Sequence, residues 1–475
     1  MRFRLFLPLP FLALAACTVG PDYERPQSAA APDWLEPAST APVSAAWWQQ
    51  FGDTQLTALV ERALASSPDI RQATARIAEA RALREAAQGG RMPQVNMTRD
   101  TSLNRISENG QIPVGNIPGF DPEFPLIDSG FDASWEMDTW GRASREVERA
   151  RAVEDAAQWA QRDAIVSLTA EIARTYVDFR LAQEQLATAR TEQEAGAQLA
   201  ELSALRAKAG EASRIEAEQA NAEREVRSGA VAQAQADVSG AAYRLAALVG
   251  IPPEEIVPGL IASTGRVPVA GDDIASGIRS DLLERRPDIR RAEMDLAAAT
   301  AGIGVAKADL YPRFTLQGSI GLQAQSPGDL LTGESLRYMA GGFFRWPIFS
   351  FGRIRAQIRA ADARADGAAA AYEGAIIQAL AETEGAANRF AASAQSGANA
   401  ATALKREEEA WGLARMLFER GETNRLQLEQ ARMRLTQAQR QDAQSRAGKA
   451  ASAIALYKAL GGAWEADQAS NAAQD

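Results

Sequence analysis

The chain has no histidine and one cysteine, Cys17, in 475 residues. Without histidine there is no His-based catalytic triad and no common zinc set, and a lone cysteine cannot close an intrachain disulfide. Positive charge is not in excess: the net charge is -10, which argues against a nucleic-acid partner because phosphate binding needs a basic patch. No apolar run of 18 residues follows Cys17, so no membrane-spanning helix is expected. Gly302-x-Gly304 with Lys307 lacks the third glycine and the preceding strand of a nucleotide loop, and reads as small residues for close helix packing. No catalytic residue, metal ligand or cofactor site is expected, and the chain does not read as an enzyme.

What the chain does have is a duplication. Placing Gly210 on Gly421 sets K-A-G-E-A-S-R-I-E against E-R-G-E-T-N-R-L-Q, a shift of 211 residues that also matches Gly141-Arg142 with Gly352-Arg353 and Phe179 with Phe390. Upstream, S-P-D-I-R-Q-A from Ser67 matches R-P-D-I-R-R-A from Arg286 with a shift of 219, and Met92-Pro93 falls on Tyr311-Pro312. The first copy therefore carries eight extra residues between Pro93 and Trp140. The repeated unit is helix, strand, loop, strand, long helix, tight turn, helix.

Arg2 and Arg4, an apolar run and L-A-A-C ending at Cys17 describe an export signal with a lipobox, so Cys17 is expected to become a lipidated first residue. Prolines at 21, 26, 32, 37 and 42 then enforce an extended strap. Asp53 or Thr54 can cap a helix to about Ser66, and Ser67-Pro68 can open another that stops at Gly89-Gly90. Four segments alternate with period two: about Gln94 to Asn104, Ile127 to Asp138, Phe314 to Gln323 and Leu336 to Ile348. Each is long enough to cross a bilayer with one lipid face and one wet face, although hairpins of a soluble sheet would show the same alternation. The loops from Arg105 to Leu126 and from Ala324 to Glu334 are expected at the surface. Gly141 to about Ala209 reads as one helix of about 100 Å at 1.5 Å per residue, with Ile165, Leu168, Ile172, Tyr176 and Phe179 on its buried face. Ser213 and Asn424 are good N-caps after the turn glycines, so each long helix reverses there. Residues 251–273, with Pro252, Pro253, Pro258 and Pro268, are expected to have little regular structure.

Four strands cannot close a barrel, and open edges in lipid leave backbone groups unpaired at several kcal/mol each. The chain must therefore oligomerise: two copies give eight strands with a filled interior, three give twelve with a lumen. The long helices would continue such a cylinder as a coiled barrel, making a duct. A lipid-anchored structural tether is the alternative of another class, but a tether does not need alternating strands.

These features resemble the TolC family of outer-membrane factors, in its NodT-type lipoprotein branch. The resemblance is carried by L-A-A-C at Cys17, V-G-P-D-Y-E-R-P from Val19, P-D-I-R at Pro68 and Pro287, W-E-M-D-T-W-G-R from Trp135, W-P-I-F-S-F-G-R from Trp346 and the two glycine turns. It implies a mainly α chain with transmembrane β structure, forming a homotrimer with a twelve-stranded β-barrel continued by a helical barrel. It places the protein in the outer membrane of a Gram-negative bacterium, anchored by lipid on Cys17 and projecting into the periplasm. It implies a periplasmic adaptor (membrane-fusion) protein and an inner-membrane pump of the resistance-nodulation-division type, and passive exit of small amphiphilic compounds. Type I protein secretion or metal-ion efflux are alternatives within the same architecture. The adaptor would meet Gly210, Glu211, Ala212, Ser213 and Arg214 with Gly421, Glu422, Thr423, Asn424 and Arg425. A periplasmic gate is expected at Glu216, Gln427 and Gln430; the family often has carboxylates where this chain has the two glutamines, and Glu218 or Glu429 would then have to assist Glu216, although both of these read rather as outward solvated charges. The implied organisation is a signal peptide (1–16), a lipidated strap (17–50), a first repeat (51–250, hairpin about 94–140), an equatorial linker (251–275), a second repeat (276–461, hairpin about 313–349) and a tail (462–475).

Overall fold

The computed structural model describes residues 18–26, 34–35, 44–107, 121–269, 271, 274 and 282–462. The expected signal peptide, Cys17, Pro32, Pro37, Pro42, Pro113, Pro118 and the tail from residue 463 lie outside the described residues.

A 3-10 turn at Trp47–Phe51 leads to α1 (Thr54–Ser66), whose N-terminus is capped by the Asp53 carboxylate accepting from the Gln55 and Leu56 N–H groups. α2 (Pro68–Gly89) follows, opened by proline at its first position, where no N–H is missed. Then come β1 (Gln94–Arg105), β2 (Glu123–Met137), α3 (Arg142–Lys208), α4 (Arg214–Val249), α5 (Pro253–Ala262), α6 (Leu282–Arg285), α7 (Pro287–Ala308), β3 (Arg313–Ala324), β4 (Leu336–Arg345), α8 (Arg353–Glu419) and α9 (Arg425–Ala459). The duplication is preserved in the lengths: α2 and α7 have 22 residues each, β1 and β3 have 12, α3 and α8 have 67.

Three boundaries differ from expectation, the simplest being β4, which stops at Arg345 and not at Ile348. β2 begins at Glu123 and takes in Pro125 opposite Leu103, because β3 reaches only to Ala324 opposite Ile127; at Pro125 the strand is paired on one side, where a missing N–H is tolerated. The linker is not irregular throughout. α5 starts with Pro253, has Glu254 and Glu255 in its first turn, and buries Ile256, Val257 and Leu260, an apolar face that outweighs the bond lost at Pro258.

The chain forms two compact units, and each draws on both repeats. The first, 1–26, 77–156 and 292–372, holds one antiparallel sheet in the order β1-β2-β3-β4. A strap from Thr18 is seated in this unit: Val19 N–H donates to the Trp140 carbonyl (3.1 Å). The buried Arg145 reaches the Val19 and Gly20 carbonyls and the Asp22 carboxylate (2.6 Å). A Cβ on Gly20 would lie 2.4 Å from Gly304 Cα, so only glycines fit this crossing. Further along, Tyr23 Oη donates to Glu293 and Arg25 pairs with it; burial, then the Glu293 charge, pushes the Tyr23 phenol well above its ordinary range.

The second unit, 27–76, 157–291 and 373–475, holds the main core. Trp47, Leu56 and Val60 pack with Ile172, Tyr176 and Phe179 of α3, Leu245 of α4 and Tyr457 and Leu460 of α9. Each such side chain contributes about 1.5–3 kcal/mol by leaving water. The expected stripe from Ile165 to Phe179 is buried at all five positions. The Tyr176 hydroxyl in it is satisfied: it donates to Asp53 (2.8 Å), the carboxylate that also caps α1, and accepts from Arg180 Nε (2.9 Å).

Candidate functional site

The expected tips are two exposed turns of the same construction. After α3, the Glu211 N–H bonds back to Arg206 O (2.9 Å) and the Gly210 N–H to Ala207 O (3.2 Å); after α8, Glu422 bonds to Leu417 O (2.9 Å) and Gly421 to Phe418 O (2.9 Å). This crossed pair of bonds needs a left-handed residue, and φ is 80° at Gly210 and 73° at Gly421. Ser213 Oγ then accepts the Glu216 N–H (3.1 Å) and Asn424 Oδ1 the Gln427 N–H (3.0 Å), starting α4 and α9. Ala212 and Thr423 are half-buried while Glu211, Ser213, Arg214, Glu422, Asn424 and Arg425 are exposed. These side chains are free of the core and available to a partner.

No hydrogen bond joins the three expected gate residues to one another among the bonds of the described residues. Glu216 and Gln430 are exposed, whereas the Gln427 side chain accepts from Thr423 Oγ1 and so belongs to the turn. Glu218 is exposed as expected, but Glu429 is half-buried, pairs with Arg425 at 3.8 Å and lines a cavity of about 700 Å³ with Glu192, Glu407, Arg432 and Arg440. Sequence reasoning missed the ion pairs that join α3 to α9. Glu192 pairs with Arg440, and Glu184 takes a forked bond from Arg446 (2.6 and 3.1 Å). Burial alone would raise the Glu184 carboxyl; hydrogen bonds from Arg446 and the Val267 N–H overcome it and hold the group below its ordinary range. Partners 248 and 262 residues apart leave no local signal.

The sheet has two unlike faces, as its alternation predicts. One carries Asn96, Thr98, Asp100, Asp128, Asp132, Glu136, Gln317, Ser319, Gln323 and Arg337; the other carries Val95, Met97, Phe131, Trp135, Leu316, Ile320, Tyr338 and Phe344. Among the described residues the apolar face is left open: Tyr338 is 80% exposed. On the polar face Arg337 grips both Asp128 oxygens and Ser319 Oγ, Gln323 donates to Asp128 (2.8 Å), and Thr98 donates to Asp132 (2.7 Å). Asp138, expected as the last residue of this strand, is past the end of β2. It instead caps α3, accepting from the Ala143 and Ser144 N–H groups at 2.8 Å.

A sheet with an uncovered apolar face and a charged reverse, on a chain with two long helical hairpins, is matched by a known family. Its profile, described as outer membrane efflux protein, matches residues 59–251 and 278–462. The chain belongs to the outer membrane efflux protein family. It is 30% identical over 477 residues to outer membrane protein OprJ of Pseudomonas aeruginosa, covering 96% of this chain and 94% of that one. To the pyoverdine export outer membrane protein OpmQ of the same species it is 28% identical over 429 residues, 90% of each. The solved outer-membrane channel OprN superposes with a TM-score of 0.83 at 32% identity, over 94% of this chain and all of that one. The fold is that of the trimeric outer-membrane efflux channels, a β-barrel continued by a helical barrel, and its relatives are channels rather than enzymes.

Proposed function

We propose that this chain is the passive exit duct of a tripartite efflux system for small amphiphilic compounds. The observation that carries the reading is the two-faced sheet with unpaired edges at β1 and β4: in lipid those edges require further copies of the chain. A periplasmic adaptor docks on Gly210 to Arg214 and Gly421 to Arg425, a reading supported by their exposure at two matched turns. An inner-membrane pump, of the resistance-nodulation-division type, supplies the energy that the duct does not use. Glu216, Gln427 and Gln430 are assigned to the periplasmic gate by the resemblance, and Cys17 carries the lipid that anchors the N-terminus. The organisation into strap (17–50), repeats (51–250 and 276–461), linker (251–275) and tail (462–475) is part of this reading, as are the absence of a resident cofactor and of catalysis.

The test is accumulation of a fluorescent amphiphilic dye in cells stripped of other exit ducts, with the cognate pump and adaptor present. Lower accumulation only when this chain is present is the expected result. Unchanged accumulation, with trimers verified in the outer membrane, would overturn the reading in favour of protein secretion or a metal-ion substrate.

A further inference from the structure

The two places where a strand gives way to a long helix are related by the duplication, and they are in opposite conditions. After β2, the Trp140 ring stacks on Tyr311 (4.7 Å between centroids, 23° between planes) and its Nε1 donates to Pro312 O (2.8 Å). Tyr311 and Pro312 immediately precede β3, the strand beside β2. After β4, the residue matching Trp140 is Phe351, 211 positions on. It is 90% exposed and touches in its own chain the ring of Phe349 (4.4 Å), itself exposed. Phe351 also has φ 49°, the one positive value at a non-glycine residue among the described residues, a conformation that costs on the order of 1 kcal/mol or more. Among the described residues its own chain supplies the Arg353 N–H to Ser350 O turn bond (2.9 Å) and the Phe349 ring, and no buried packing for Phe351.

The duplication says what should. The residues matching Tyr311-Pro312 are Met92-Pro93, 219 positions back, and they immediately precede β1. Contacts at this rim do obey the repeat: Trp135 Nε1 donates to Arg91 O (2.9 Å) and its counterpart Trp346 Nε1 to Leu310 O (3.0 Å), the counterpart of Arg91. Thus the contact from β2 back to the start of β1 recurs as one from β4 back to the start of β3. The contact from β2 forward to the start of β3 should recur as one from β4 to the start of β1. Within a chain β4 and β1 are opposite edges of the sheet, so a neighbouring copy must supply it.

We infer that Phe351, supported by Phe349, seats on Met92 and Pro93 of a neighbouring copy, locking β4 of one chain to β1 of the next. The inference rests on the reading that copies of this chain close the sheet into a barrel. The surfaces match in chemistry: Met92 is 64% exposed, and a thioether against an aromatic ring is a favourable contact. The N-terminal strap is not the occupant, because its seat requires Arg145 and Gly304, whose counterparts are Ala356 and Glu85. One junction per chain is thus covered by the chain's own strap and Tyr311, the other by its neighbour.

The test uses full-length protein in outer membranes carrying Phe351→Cys together with Met92→Cys, treated with a short bismaleimide. An interchain product on a denaturing gel is expected from the pair and absent from either single variant, which also controls for Cys17. Trimers of normal size in detergent with no product from the pair would overturn the lock while leaving the duct intact. Absence of any oligomer would overturn the duct reading and the lock with it. As a second arm, Phe351→Trp with Met92→Tyr rebuilds the pair seen after β2 and should raise the temperature at which oligomers dissociate, and Phe351→Ser should lower it. Dissociation temperatures unmoved by both, with Phe351→Cys labelled by a lipid-soluble maleimide, would mean that the ring faces the bilayer.

Discussion

α3 and α8 are copies of one helix, 67 residues each, yet they do different work. Along α3, Ile165, Leu168, Ile172, Tyr176 and Phe179 are buried; 211 residues on, α8 has Ile376, Ala379, Thr383, Ala387 and Phe390. Three large side chains have become small. The cause is what flanks each copy: α3 is met by the Trp47–Phe51 turn and α1, while α8 has in the matching place only the four-residue α6 among the described residues. The duplication supplied the backbone geometry, and divergence afterwards decided which copy fills a core within its own chain.

The comparison breaks most readily in that core. Ile172→Ala removes a fully buried side chain and should cost about 2–5 kcal/mol, read as a large fall in the temperature at which helical circular dichroism is lost. Thr383→Ala, at the matching place in α8, deletes a hydroxyl bonded to Ala379 O and Ala459 O and should cost about 0.5–1.5 kcal/mol, since the Ala459 carbonyl keeps its bond from Arg286. Equal costs would mean that the two helices are packed alike. At the tips, where the copies do remain alike, Gly421→Pro should abolish dye export while leaving trimers in the membrane, since proline can supply neither the positive φ nor the N–H given to Phe418 O; Gly210→Pro should do the same, and export by either variant at the wild-type rate would remove that turn from the docking surface.

Titration should also separate the copies. Glu184 bridges α3 to Arg446 of α9, whereas its counterpart Gln395 hydrogen-bonds to Asn399 within α8. The Glu184 carboxyl is held below its ordinary range, so the stability it confers is present above that range and is lost as pH falls through the lowered value. The gap in thermal midpoint between wild type and Glu184→Gln should therefore narrow as pH falls from neutral through and below the ordinary carboxylate range; a constant gap would show that the bridge is not ionic. The smallest effect belongs to the exposed Arg415–Glu419 pair of α8 (2.9 Å): Arg415→Ala should change stability by less than about 1 kcal/mol.

What could be read without coordinates was whatever repeats locally. Glycine turns, the Ser213 and Asn424 caps, period-two strands and the α3 stripe each announce themselves within a dozen residues, and the duplication checked each against its copy. What could not be read joined distant segments. The Arg286 side chain, linking Asp288, Glu382 and the Ala459 carbonyl, and the α3–α9 ion pairs depend on helix register. The Gln427 side chain is a further case at the site: the resemblance implied a place in the gate, and the bond its oxygen accepts from the Thr423 hydroxyl was not foreseen. Asp138 likewise continues the alternation of the strand before it, yet the helix start claims it.

The strap has a consequence for how such a protein is tethered. Thr18 lies within 3 Å of where a side chain on Gly141 would begin, and Arg145 grips the next residues. With lipid on Cys17, as proposed above, the acyl chains would hang one peptide unit, about 3.8 Å, from a fixed point. Such an anchor has no slack: it is a rivet rather than a leash, and a tag spliced between residues 17 and 26 would loosen it even if every acyl chain remained.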